Sequence, residues 1–203
     1  MNSCITSGTG SRLRVMSQSR LYKFFDMKKM PWKNGGGFSS EVAISPAGAE
    51  LGRLDFDWRV SIAEIDAHGP FSPFPGYDRQ LAVWKGEGIS INGVEHLAMR
   101  PFQFIGEIPI EARLIQDQVK DFGVIFKRGK FTSLMTAHKL AAEESSALEF
   151  SGDECFVLCT RGELRIGEFY LNPGDVFHTS EPGAIQVKAL ERSDFLRVTL
   201  SQI

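Results

Sequence analysis

The residues best placed to do chemistry in this chain are cations set beside small or turn-forming neighbours. Arg59 lies in the run Trp58-Arg-Val-Ser-Ile-Ala-Glu64, where Ser61 and Ala63 share its parity. In an extended segment those three point one way and Trp58, Val60 and Ile62 the other. A guanidinium between small neighbours has room to hold a carboxylate through two parallel N–H donors. The same face could instead lie open to solvent, or Arg59 could pair with Asp55 or Glu64. Arg79 closes the loop Gly69-Pro-Phe-Ser-Pro-Phe-Pro-Gly76 through Tyr77 and Asp78, where it could reach the same cavity or cap the turn. A third run, Pro31-Trp-Lys-Asn-Gly-Gly-Gly-Phe-Ser-Ser-Glu41, places an ammonium and a carboxamide before three glycines and a carboxylate after them. Glycines permit positive φ and close backbone approach, so Gly36 is expected to take one of those roles. Lys33 and Asn34 could then converge with backbone N–H groups on one anion. A phosphate-cradling P-loop is excluded, because its Lys follows the last glycine whereas Lys33 precedes all three. Phe71 and Phe74 are suited to line the mouth of a small-ligand site.

Other chemistries find less support. The four histidines, His68, His96, His138 and His178, include no pair at i, i+2, so no compact imidazole box for a divalent metal exists. A site would have to be assembled from scattered residues such as His138, His178 and Glu154, and neither metal nor other cofactor is expected. Ser72 lies near His68, but prolines shape that loop and no nucleophile elbow is present. Glu143-Glu144 and Asp153-Glu154 sit in turns as solvated pairs. Lys127-Arg128-Lys130 is too short for a nucleic-acid platform. Cys155 and Cys159, if both lie on one strand, have Cα atoms about 13 Å apart, beyond the roughly 4.4–6.8 Å that a disulfide spans. They read as core thiols, and an odd total of three cysteines suits a reducing compartment, here the cytoplasm.

The elements that must position these residues are strands. Runs at Glu41–Ser45, Asp57–Ile65, Gln80–Trp84, Ile89–Ile91, Phe102–Phe104, Ala112–Ile115 and Val124–Phe126 recur with Gly or Pro near most boundaries. That cadence predicts an all-β sandwich or barrel with little helix. Leu148–Phe150, Cys155–Cys159, Leu164–Ile166, Val176–His178, Ile185–Val187 and Phe195–Leu200 form a second series, and the threonines of Phe131–Leu140 favour a strand there over a helix. Gly86-Glu87 before Ile89-Ser-Ile91 is echoed by Gly162-Glu163 before Leu164-Arg-Ile166, as two copies of one β unit would be. Residues 1–20, rich in Ser, Gly and Arg and without an apolar stretch, read as a flexible tail and no secretory signal. Residues 21–130 then form a first half with the pocket and 131–203 a second. At 203 residues the chain can bury a sizeable core. A net charge of −2 gives no reason to expect nucleic acid or an anionic membrane, and no apolar run approaches the roughly 20 residues of a membrane helix.

The segments Pro31-Trp-Lys-Asn-Gly-Gly-Gly37, Trp58-Arg-Val-Ser-Ile-Ala63 and Gly69-Pro-Phe-Ser-Pro-Phe-Pro-Gly-Tyr-Asp-Arg79 together resemble the HutD/Ves family of small bicupin proteins. They match its PWKNGGG, WRxSxA and GPFSxFPGxxR segments in order, and the resemblance covers residues 21–130 well and the remainder loosely. Pro173-Gly-Asp175 is similar to the turn in the second conserved box of cupins. The chain departs from the family at Asp121-Phe-Gly-Val124, where Gly123 stands in place of the usual Asn and so removes that amide. The resemblance implies an all-β bicupin of two jelly-roll-like barrel halves packed as one unit. It also implies a metal-independent regulatory or sensing role toward a small carboxylate metabolite of histidine breakdown, such as urocanate, formylglutamate or formate. The ligand-binding residues expected are Lys33, Asn34, Gly36, Glu41, Arg59, Ser61, Phe71 and Arg79. A homodimer is compatible with this picture. The rivals are a metal-free isomerase or hydrolase using Glu41 or His68 as acid/base, and a scaffold that only binds a protein.

Overall fold

The computed structural model describes residues 19–203, so the expected tail lies outside the described residues up to position 18. The fold is all-β. Three strands come first: β1 (Arg20–Tyr22), β2 (Lys29–Pro31) and β3 (Gly37–Ser45). Next is the series β4 (Trp58–Ile65), β5 (Gly69–Pro70), β6 (Tyr77–Lys85), β7 (Gly88–Ile91), β8 (Val94–Leu97), β9 (Phe102–Ile105), β10 (Glu111–Leu114) and β11 (Val119–Lys127). A second series follows: β12 (Phe131–Leu140), β13 (Ser145–Phe150), β14 (Glu154–Arg161), β15 (Leu164–Ile166), β16 (Phe169–Leu171), β17 (Val176–Thr179), β18 (Gly183–Ala189) and β19 (Ser193–Gln202). The order β4-β11-β6-β9 in one sheet recurs as β12-β19-β14-β17 in another, and β5-β10-β7-β8 recurs as β13-β18-β15-β16. The echo at Gly86 and Gly162 therefore marks counterpart turns in two copies of one jelly roll. The helical content among the described residues is two single 3-10 turns, Phe24–Asp26 and Leu51–Arg53.

Three apolar layers hold this together. Trp58, Val60, Ile62, Ala82, Phe122 and Val124 from the first large sheet meet Phe156, Leu158, Leu196 and Val198 from the second. Within the first half, Ala63, Leu81, Val83 and Val119 pack on Ile89, Ile91 and Ala112. Within the second, Cys155, Val157, Phe177 and Phe195 pack on Leu164, Ile166, Val187 and Ala189. The large sheets are thus covered on both faces, and β4 is buried almost throughout. Phe131–Leu140 is a strand paired with β19 along its whole length. Cys155 and Cys159 are free and buried on β14.

One placement departs from the sequence reading. β1 does not join the first half but pairs antiparallel with β17, Tyr22 opposite Val176. Asp175 explains the attachment: buried at the start of β17, it accepts the Phe24 N–H at 3.0 Å and the Lys23 ammonium at 2.8 Å. Gly174, at φ +97°, is backed so closely by Phe24 that a Cβ would lie 2.7 Å from the ring. The Pro173-Gly-Asp175 turn therefore reverses the chain and also docks the N-terminal segment.

Candidate functional site

Strand β4 alternates as its sequence requires. Trp58, Val60 and Ile62 enter the layer between the halves, whereas Ala63, and with it Ser61 and Arg59, faces the interior of the first half. The polar face is not solvent-exposed: Arg59 is only 3% exposed. Nor does Arg59 pair with Asp55 or Glu64. Its Nε donates to Glu41 Oε2 at 2.8 Å and its Nη1 to Ser61 Oγ at 3.1 Å. Strand β3 brings Glu41 opposite Ser61. Glu64 is held by Lys29 and Lys120 on the outside. The third nitrogen of the fork, Arg59 Nη2, is buried without a hydrogen-bond partner among the described residues. An unmet donor on a buried cation costs about 1–3 kcal/mol or more, and an arriving oxyanion would recover it. Glu41 keeps a third of its side chain exposed, so the constellation reaches solvent on that side.

Ile125 of β11 separates Arg59 from Arg79 of β6 in the sheet. Arg79 is boxed by three rings, its guanidinium carbon 5.0 Å from the centroid of Phe71, 5.3 Å from Phe74 and 5.1 Å from Phe104. Its Nη1 donates to the Ser72 carbonyl at 3.3 Å. The Gly69–Gly76 loop thus lies over the guanidinium it was expected to shape. Burial pulls the Arg79 pKa down to about 10, Asp121 counters that, and the Arg59 charge adds to it. Arg79 remains a cation at neutral pH, and two guanidinium groups that feel one another favour an anion between or beside them.

Asp121 completes the interior group, and the sequence reading did not include it among the site residues. It stands opposite Ala63 on β4 and Val83 on β6. Burial pushes its pKa up to about 7 against the opposing pull of Arg79 and the Ala63 backbone. A signal was available: Asp121 has the inward parity of Gly123 and Ile125 in a strand that is otherwise apolar there. Gly123 itself is not demanded by the backbone. A Cβ at that position would lie 3.7 Å from Asp121 Oδ1 and 3.7 Å from Leu81 Cβ, ordinary contact. The glycine widens the interior beside Asp121 and Ser61.

The Gly-run residues are arranged differently from expectation. Gly36 has no positive φ, and a Cβ there would make ordinary contact with the Asn34 side chain. The backbone demand falls on its neighbours: Gly35 holds φ +71°, and a Cβ on Gly37 would stand 2.2 Å from the Glu64 carbonyl. Asn34 Oδ1 is spent on its own turn, accepting the Gly36 N–H at 3.1 Å. Lys33 is exposed, and among the described residues neither Lys33 nor Asn34 bonds to Arg59, Glu41 or Ser61. Gly37 pairs with Ile65 while Arg59 pairs with Ile44, so the run begins about 20 Å along the sheet from Arg59. Trp32 is the link between them: its Nε1 donates to Ser39 Oγ at 2.8 Å, and its ring meets Phe71 edge-on at 6.1 Å.

His68 is engaged elsewhere, its Nδ1 accepting the Leu114 N–H at 2.9 Å. Of the scattered metal candidates, Glu154 and His178 do meet, at 2.6 Å. His138 instead stacks on Phe195 and bonds Thr136. Among the described residues no group of three His, Cys, Asp or Glu side chains is arranged to hold a metal ion.

Comparison with known proteins fits this architecture. The HutD family model matches residues 25–197. The chain belongs to the HutD family. It is 37% identical over 116 residues to an uncharacterized 21.2 kDa protein in the hutC 3' region of Pseudomonas putida, a match covering 55% of this chain and 60% of that one. It is 34% identical over 117 residues to protein Ves of Citrobacter koseri, covering 53% and 59% respectively. The chain thus spans about three-fifths of the length of these curated relatives. HutD from Pseudomonas fluorescens SBW25, solved in a formate condition, superposes with a TM-score of 0.71 at 26% identity over 91% of this chain and 99% of that one.

Proposed function

We propose that this HutD-family protein binds a small carboxylate metabolite inside its first half, as a sensor or regulator rather than through a metal. The observation that carries this reading is the buried Arg59, whose Nη2 has no hydrogen-bond partner among the described residues and lies beside a second, ring-boxed guanidinium. Ser61 and Glu41 set the plane of the Arg59 fork. Arg79 supplies the second positive charge, held among the rings of Phe71, Phe74 and Phe104. Family membership and the relative from a hutC 3' region support a link to histidine utilisation. The ligand class is therefore an intermediate such as urocanate, formylglutamate or formate.

One charge-assisted contact contributes roughly 1.5–3 kcal/mol, and small ligands gain at best about 1.5 kcal/mol per heavy atom. Affinity is accordingly micromolar to millimolar. Ligand at about 100 times its dissociation constant adds roughly 2.7 kcal/mol to stability, a melting shift of about 5–11 °C for a chain of this size. Thermal melting with urocanate, formylglutamate and formate tests this: the shift is expected in wild type and lost in Arg59→Leu. If no acid of the panel shifts the curve, or Arg59→Leu responds like wild type, the reading fails. A second reading, acid–base catalysis on the same small acid, is favoured by Asp121, whose pKa of about 7 suits proton transfer at neutral pH. Conversion of the bound acid, followed by NMR, separates the two.

A further inference from the structure

A concave site lies away from the Arg59 group, in a cleft of about 600 Å3 between the two halves. We propose that it binds a small organic anion with a planar, apolar body, of the aromatic carboxylate kind. Its volume is in the range of small-ligand pockets, roughly 300–1,000 Å3, and junctions between domains are a common place for them.

The cleft is built from counterpart pieces of the repeat. Lys85-Gly86 turns β6 into β7, and Arg161-Gly162 turns β14 into β15. Both cations line the cleft from equivalent corners of the two jelly rolls. The turns require glycine: Gly86 is at φ +95° against Val119, and Gly162 at φ +76° against Ser193. Neither Lys85 nor Arg161 has an ion-pair partner among the described residues. Lys120 also lines the cleft but is already paired with Glu64, its ammonium 4.8 Å from the Phe24 centroid. With Asp194 as the sole carboxylate in the lining among the described residues, the surroundings favour an anion.

Two further lining atoms are buried and unsatisfied. Trp84, 8% exposed, and Thr160 occupy equivalent places before the two cations, and neither Trp84 Nε1 nor Thr160 Oγ1 has a hydrogen-bond partner among the described residues. Buried donors are left unpaired rarely in folded proteins, and each such atom calls for a reason. A carboxylate reached by these groups, with Lys85 and Arg161 outside them, supplies one. The flat apolar surface comes from Trp84, Met99 and the 3-10 turn that Asp175 anchors. Phe24 packs edge-on against Trp84 at 6.2 Å, and Phe25, 94% exposed, stands at the rim.

The test is calorimetric titration of the full chain with 2-naphthoate as probe and 2-naphthalenemethanol as its uncharged counterpart. Wild type and Arg59→Leu are expected to bind 2-naphthoate saturably and alike, which separates this site from the one proposed in the first half. The Lys85→Ala/Arg161→Ala double variant, altered only at exposed positions, should weaken binding by about tenfold or more. Trp84→Phe, which removes the N–H and keeps an aromatic ring against Phe24, should weaken it severalfold, and the alcohol should bind at least about tenfold more weakly than the acid. The proposal is overturned if wild type shows no saturable binding at millimolar probe, if binding is lost in Arg59→Leu, or if the double variant binds like wild type.

Discussion

The interior carboxyl of Asp121 makes the stability of this protein depend on pH in an unusual direction, and the size of the effect can be worked out. In the unfolded chain Asp121 ionises near its ordinary value of 3.8, whereas burial in the folded protein pushes its pKa up to about 7. The native state therefore holds a proton that the unfolded state has lost over this window, so stability is full below about pH 4 and falls as pH rises towards 7. One proton corresponds to about 1.4 kcal/mol per pH unit, and the loss between pH 5 and pH 7 is about 2–3 kcal/mol. For a chain of this size that is a melting decrease of about 4–12 °C. Asp121→Asn keeps an acceptor for the Ala63 backbone and removes the ionisation. The variant should match wild type near pH 4 and exceed it increasingly up to pH 8, and the difference between the two curves cancels the titration of every other group. Urea denaturation at pH 4, 5, 6, 7 and 8 measures it. Parallel pH profiles for the two proteins would refute the reasoning, because Asp121 would then carry the same pKa folded and unfolded. The same linkage reaches the ligand: a bound carboxylate beside Asp121 favours the protonated form, so affinity should weaken as pH rises through 7, and Asp121→Asn should flatten that dependence.

Two further predictions concern the loops around the site. Gly37→Ala drives a methyl group against the Glu64 carbonyl at 2.2 Å and should destabilise the protein by about 1–3 kcal/mol, whereas Gly36→Ala, with contacts of 3.5 Å and beyond, should cost under about 0.5 kcal/mol; thermal melting ranks them, and the reverse order would misplace the constraint. Arg79→Lys keeps the charge but loses the planar stacking on Phe71, Phe74 and Phe104, and it should cost about 1–2 kcal/mol in urea denaturation and weaken the carboxylate-induced melting shift.

The strands were legible in the sequence wherever one face or both meet a core. β4, β6, β11, β14 and β19 announce themselves by apolar alternation or by apolar runs, and even Phe131–Leu140 reads correctly once its threonines are weighed. The strands that escaped, β2, β5, β8 and β16, are short and lie at sheet edges, where exposed side chains such as Val94 and Tyr170 interrupt any pattern. The inward direction of Arg59 and Ser61 was legible because parity on a strand is a property of spacing, whereas Arg79, read as closing a loop, turned out to lie on β6. The convergence of Arg59 with Glu41 was not legible, since it depends on the register of β3 against β4, including the irregularity between Glu41 and Ala43. Lys33 and Asn34, residue types suited to an anion, lie by register about 20 Å along the sheet from Arg59. Asp121 went unweighted because a carboxylate within an apolar strand gains meaning only when burial on both sides is known.

The two halves share a strand order but have divided their labour, and the division has an energetic sense. The interior of the second half is packed by Val157, Leu164, Phe177 and Phe195 together with two thiols, Cys155 and Cys159, whose pKa values burial pushes up to about 12. These thiols stay neutral and act as small apolar groups. At the strand positions equivalent to Cys155–Cys159 the first half carries Arg79, Leu81 and Val83, and alongside them Arg59 and Asp121. Buried charges with incomplete partners each cost about 1–3 kcal/mol or more, a large share of a typical stability of about 5–15 kcal/mol. Such a site is tolerable here because the outer faces of the same strands, Trp58, Val60, Ile62, Phe122 and Val124, are buried against the second half. The layer between the halves offsets what the first interior gives up, so that a polar interior in one half can be sustained beside the packed core of the other.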